Sequence, residues 1–398
     1  MAEMKKSLFA LAAISTFSGT LSAQSSLTIY GVIDIAYLNE KSRSNINSQA
    51  NASAIINSPE QLSRLGFKGT EDLGGGLSAF FVAESVISAA NASLSDWRTM
   101  QAFGGLGRSD IGQFAFGTQN TPIFNQLLAT DVGMANNMPG SAVFPVSSVY
   151  SSGLPSKNTY YSGNEGGVNV SDALTIRTQS ALSVQSTTLA DFKVAGFYTL
   201  RNDTIKKGNS KNAPVPISNN YSGWGLSADY TWQKLYIGIA YQALKSANLG
   251  YGCEEPGECA STAYTPQAKG WAVTSGGVNT QDNQYYGGIT YNFDKIKLYL
   301  QYVNRKATNI LDTQNYSSRS AQQIGVRSFL TTAIEGWANI GYGKNTSYDK
   351  SYSSATFTAW QLGLNYYLSK RTNLYTIYGA ETEYTAAKAL AAGIRVVF

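Results

Sequence analysis

The sequence predicts an all-β chain that folds as a transmembrane antiparallel β-barrel of about sixteen strands. Three observations carry this expectation. Apolar residues recur at every second position through long segments, the period of a strand with one oily face. Tight turns alternate with long polar connections, as in barrels with short periplasmic turns and long external loops. An export leader opens a chain that, beyond it, holds no apolar run of the ~18–20 residues a membrane helix needs.

The leader comes first. "MAEMKKSLFALAAISTFSGTLSAQ" has Lys5 and Lys6, an apolar run from Leu8 to Ile14, and small residues ending at Ala23. That order is a secretory signal peptide over residues 1–23. "MKKSLFALA" is itself a complete opening, so either Met1 or Met4 can be the start. Residues 24–398 then form one barrel domain, with no linker or change of composition.

Composition narrows the function classes. Charged residues make up 14% of the 398, against about 25% in ordinary soluble proteins. A soluble β-sandwich would show more charge on its outer faces. The net charge is +5 with no basic run, so nucleic acid is not an expected partner. The chain has no His, which removes the usual base of a serine hydrolase, and no paired acids stand out. No enzyme activity, metal or cofactor is expected. Cys253 and Cys259 lie in "YGCEEPGECAS"; in an oxidising compartment they are expected to close a short loop as a disulfide.

The hairpins follow in chain order. In "SRLGFKGTEDLGGGLSAFFVAES", Leu65 and Phe67, then Leu77, Ala79, Phe81 and Ala83, share one face about the Glu71–Gly76 knot. "GWGLSADYTWQKLYIGIAYQ" places Trp224, Leu226, Ala228, Tyr230 and Trp232 on one face, turns at Gln233-Lys234, and continues with Leu235, Ile237, Ile239 and Tyr241. "YYGGITYNFDKIKLYLQYVNR" turns at Asp294-Lys295, and "AWQLGLNYYLSKRTNLYTIYGA" between Ser369 and Thr372. Polar stretches are read as long loops near 39–60, 202–220, 245–281 and 307–320.

Strands of this length fit a tilted crossing of a bilayer, and aromatic residues near the ends of the stripes fit its interfaces. Lipid offers the backbone no hydrogen bonds, so the sheet must close. The polar face then looks into a wet lumen too wide for side chains to fill. Parity puts Arg64, Lys68, Arg177, Lys297, Arg305, Arg327 and Arg395 on that wall, with Arg98 at a strand end and the acids Asp34, Glu84, Asp229 and Glu335. An excess of basic wall charge concentrates anions.

"SSLTIYGVIDIAYL", "SRLGFKGTEDLGGGLSAFF", "YYLSKRTNLYTIYGA" and the terminal "GIRVVF" together resemble the general outer-membrane porins of β-proteobacteria. The resemblance spans effectively the whole mature chain. It implies a sixteen-stranded homotrimeric channel for passive diffusion of small hydrophilic solutes, in contact with outer-membrane lipid and lipopolysaccharide, in a family where some members prefer anions. It implies that Phe398 belongs to a signal read by the outer-membrane assembly machinery. It also implies that a loop of about 119–158 folds into the lumen as a constriction, with Asp131 as its acidic side chain. Two departures thin the family's basic ladder: Met100 and Thr118 stand where members commonly carry arginine. A receptor or adhesin acting through the long external loops is the alternative function, since loops commonly carry binding residues.

Overall fold

A computed structural model describes residues 26–45, 48–88, 93–146, 169–170, 173–205, 217–249, 280–310, 313–314, 316–347, 354–382 and 387–398. The leader, Cys253, Cys259 and the part of the inward loop beyond Val146 lie outside these residues. The elements begin with β1 (Ser26–Asn45), β2 (Ser48–Asn57), β3 (Arg64–Gly74), β4 (Leu77–Ser88), β5 (Ser93–Arg108) and β6 (Gly112–Asn120), followed by helix α1 (Pro122–Thr130). Then come β7 (Asn169–Val170), β8 (Thr175–Ser186), β9 (Phe192–Ile205), β10 (Ile217–Trp232), β11 (Leu235–Leu249) and β12 (Thr280–Asn292). The last are β13 (Ile296–Asn309), β14 (Tyr316–Phe329), β15 (Ile334–Ser347), β16 (Ala355–Tyr367), β17 (Thr372–Glu381) and β18 (Lys388–Val397).

All pair antiparallel in one sheet that closes on itself where β1 meets β18, from Val32 opposite Val397 to Lys41 opposite Lys388. The eighteen described segments fill sixteen positions. β2 and β3 share the place beside β1, and β7 extends the edge of β8 past the end of β6. Closure leaves no strand edge for lipid to meet.

The two-residue period sorts the faces. Leu27, Ile29, Phe81, Leu226, Ile239, Leu300 and Leu362 are all exposed on the outer wall, where an apolar band faces hydrocarbon. Their strand neighbours turn inward, and many of those are polar and buried, among them Gln242, Gln284, Gln301 and Gln361. The tight turns fall where their residues permit. Gln233 and Asp294 take positive φ (51° and 73°) in their hairpins. The Glu71–Gly76 knot turns at Gly75 and Gly76, both with positive φ, while Asp72 accepts the Gly74 amide at 2.8 Å.

Residues 39–57 depart from the loop expected there. β1 and β2 continue as a paired ladder, Asn39 opposite Ser53 and Ser42 opposite Ala50. Above the hydrocarbon both faces of a strand meet water, so the hydropathy alternation fades while the backbone ladder continues.

Between β2 and β3 the wall itself tucks inward. Pro59 has no N–H to give to a ladder, and Asp34 on β1 captures the freed backbone. Its Oδ2 accepts the amides of Glu60 and Gln61, each at 2.7 Å, and Tyr375 donates its hydroxyl to Oδ1 at 2.5 Å. Asp34, an inward acid by parity, is thereby fully buried and consumed by structure.

Candidate functional site

Where the chain leaves β6 it turns away from the wall into helix α1. Thr121 caps α1, its hydroxyl accepting the Phe124 amide at 3.4 Å, and Pro122 opens the first turn. Both choices suit a helix start. Ile123, Phe124 and Leu127 are buried, while Asn125 and Leu128 (42% exposed) stay open to water. After Thr130 the chain runs as an irregular strap to Val146, most of it buried.

A ladder of inward amides and arginines from β12 to β16 holds this strap. Thr130 shares a 2.6 Å hydrogen bond with the Tyr286 hydroxyl. Asp131 accepts the Gln301 and Gln323 side-chain amides at 3.3 and 3.1 Å and the Ala135 amide at 2.7 Å. Arg327 donates to the Val132 carbonyl at 2.7 Å, and Arg319 to that of Ala142 at 3.1 Å. Gln361 donates to the Met138 and Pro139 carbonyls, each at 3.0 Å, and exchanges two hydrogen bonds with Asn136. Asn137 reaches the tucked segment, donating to the Ser58 carbonyl at 2.7 Å. Gly379 on β17 faces the strap, and a Cβ there would collide with the Pro139 carbonyl.

The residues singled out by parity separate into groups. Arg64 and Glu84 come together at 3.5 Å on the wall. Glu84 also accepts the Tyr30 hydroxyl at 2.9 Å and the Gln101 side-chain amide at 2.8 Å. Gly66 sits between Tyr30 and Glu84 in register, and its missing side chain is what lets the Tyr30 ring lie across. Lys68 is exposed, its ammonium 5.3 Å from the Tyr30 ring centroid.

Arg305 is fully buried against Asp282, with an Nη2 to Oδ2 contact of 2.5 Å. Arg327 pairs with Glu335 at 3.0 Å, and Arg395 with Glu60 at 3.4 Å. Arg177 is buried and donates to Asn120 at 3.0 Å. Asp131 is only 3% exposed and turns into the wall. The backbone of Arg98 pairs with Val86 in the β4–β5 ladder; its side chain lies outside the described residues. Phe398 closes the seam, exchanging backbone hydrogen bonds with Gly31 at 3.0 and 3.1 Å.

The departures noted in the sequence have visible consequences. Met100 is 4% exposed within an apolar cluster that includes Leu62, Val86, Phe124 and Phe144. Thr118 pairs with Ala102 beside a bulge in β6. At the tight-turn rim, the hydrogen bond from Arg108 at 2.8 Å holds the Asp110 carboxyl below the usual carboxylate range. Lys234 meets Asp294 at 2.5 Å on the same rim. Basic side chains therefore abound, yet four of the inward arginines meet a carboxylate. The anchoring glutamines were not anticipated, although each stands on the polar parity of an alternating strand, as Gln301 does in "LYLQYV" and Gln361 in "AWQLGL".

The closed sheet with an inward strap has counterparts. The profile of the family described as Gram-negative porin matches residues 10–385. An outer membrane porin protein of Bordetella pertussis is 25% identical over 434 aligned positions, covering 99% of each chain. Outer membrane porin protein 32 of Delftia acidovorans is 32% identical over 42% of this chain and 48% of its own. Among solved structures, an anion-selective porin from Comamonas acidovorans superposes with a TM-score of 0.68 at 18% identity, covering 94% of this chain and all of that one.

Proposed function

Because this chain belongs to the Gram-negative porin family, an outer-membrane group of β-barrel channels, we propose that it conducts small hydrophilic solutes and ions passively with a weak preference for anions. The observation that carries this reading is the closed sheet, apolar outside and polar within. Such a wall isolates a water path from lipid, and the strap from α1 to Val146 sets its width. The path performs no chemistry. Its selectivity comes from bore and wall charge.

The weakness of the preference follows from the pairing. Arg305, Arg327 and Arg395 add little field because Asp282, Glu335 and Glu60 answer them. Arg64 keeps a side chain 24% exposed although it meets Glu84 at 3.5 Å, and Lys68 on the same strand is open to water. The open edge of α1 offers Asn125 and Leu128 in place of acids. In this reading residues 24–398 form one barrel that assembles as a homotrimer among outer-membrane lipid and lipopolysaccharide, and Phe398 is read by the assembly machinery.

Stepwise conductance in planar bilayers is the direct test; folded barrels that give no steps would overturn the channel. Selectivity is read from the reversal potential in a salt gradient. Wild type is expected to favour the anion slightly. Arg64→Ala and Lys68→Ala should each move the ratio towards unity, and the double variant should favour the cation. A wild-type potential of cation sign would refute the anion preference and leave the channel intact.

A further inference from the structure

On the tight-turn side of α1, the inward faces of β5, β6, β8, β9, β10 and β11 enclose a cavity of about 390 Å³. That volume falls in the range of small-molecule sites, roughly 300–1,000 Å³. Its polar lining is dominated by carboxamides, with Gln101, Gln113, Asn120, Asn125 and Gln185 among them. Phe103, Phe197 and Tyr236 supply ring surface to the same space.

The charge of the cavity cancels. Its basic and acidic lining residues, Lys193 and Asp229, stand opposite each other in the β9–β10 ladder. Asp229 is further occupied by Gln126, which donates to it at 3.1 Å while accepting the Tyr236 hydroxyl at 2.8 Å. Gln113 donates to Gln185 at 3.0 Å. That bond uses one donor and one acceptor, so the pair keeps a free carbonyl oxygen on Gln113 and a free amino group on Gln185 among the described residues. Asn125 is exposed on α1 towards the same space.

Each carboxamide offers a donor and an acceptor a short distance apart. An anion would leave the carbonyls unused, a cation would leave the amino groups unused, and an apolar solute would strand both at the desolvation cost of an unmade hydrogen bond. A hydroxyl both donates and accepts, and a polyol carries C–H surface for the rings. We propose that this cavity is a transient binding site for neutral polyhydroxylated solutes of the size of a mono- or disaccharide. The proposal rests on the channel reading and names a solute class for the same lumen.

Sucrose added to single channels in planar bilayers provides the test. The expected result is excess current noise that saturates with sucrose concentration. The double variant Gln113→Leu/Gln185→Leu should weaken the half-saturation by about tenfold, the loss of roughly two net hydrogen bonds. Lys193→Met should leave it within about twofold, because a neutral ligand gains little from one charge. Steps of normal size with no saturable sucrose noise would overturn the sugar site and leave the channel standing. Loss of binding in Lys193→Met alone would also overturn it, in favour of an anionic ligand. Absence of steps from folded barrels would overturn the channel reading together with the site.

Discussion

Arg305→Ala is expected to cost the barrel about 3–5 kcal/mol of stability, the usual loss when one partner of a buried ion pair is removed. Arg305 is fully buried on β13, and its Nε lies 3.0 and 3.1 Å from the two oxygens of Asp282 on β12. Truncation leaves that carboxylate out of water, with Gln284 still donating to it at 2.9 Å. The double change Arg305→Met/Asp282→Leu should recover most of the loss, since an apolar pair of similar volume carries no desolvation cost. Denaturant midpoints of the refolded barrels measure both. A single variant within about 1 kcal/mol of wild type would mean that lumen water reaches the pair and screens it as it screens surface pairs.

Gln361→Leu should widen the pore. One fully buried carboxamide on β16 satisfies the Met138 and Pro139 carbonyls and both polar atoms of the Asn136 side chain, and accepts from Asn339 at 2.9 Å. Leucine fills similar space and satisfies none of them. Asn136 keeps its bonds to Gly133 and Met138, but the Met138 and Pro139 carbonyls lose their donor at about 1–3 kcal/mol each, so the stretch from Asn136 to Pro139 is expected to leave the wall. The readout is a larger single-channel step with more open-channel noise and little change in the denaturant midpoint. A step equal to wild type would show that Gln323, Arg319, Arg327 and the Asn137 bonds to Ser58 and Pro59 hold the strap without Gln361.

The barrel was legible in the sequence because the bilayer imposes a strict rule. Leu226, Ile239 and Leu300 must face lipid, so their neighbours must face inward, and parity alone places Arg64, Lys68 and Glu84 on the lumen side. Parity says nothing of what lies across the lumen. Arg305 and Asp282 are far enough apart in sequence, on different strands, that their pairing appears only once the register of β12 and β13 is fixed. Asp131 has the composition of a pore-facing acid, yet the glutamines of β13 and β14 draw it into the wall. The tucked segment at Pro59 escaped for a related reason. Its cause is the Asp34 carboxylate on a neighbouring strand, and no local pattern announces that contact.

The strap also sets an order of events in time. Asp131 waits for Gln301, 170 positions later, and Asn136 for Gln361, 225 positions later. The seam joins β1 and β18, the first and last described strands. Contacts this distant in sequence form late and slowly. Until β13 to β16 are in place, the carbonyls of Val132, Met138, Pro139 and Ala142 have only water for partners. The strands that come last therefore do two jobs at once: they finish the wall and hold the strap against it. A chain halted before β16 lacks the anchors of its strap as well as its last staves, so, in the channel reading proposed above, the membrane is sealed by the same late steps that meter what crosses it.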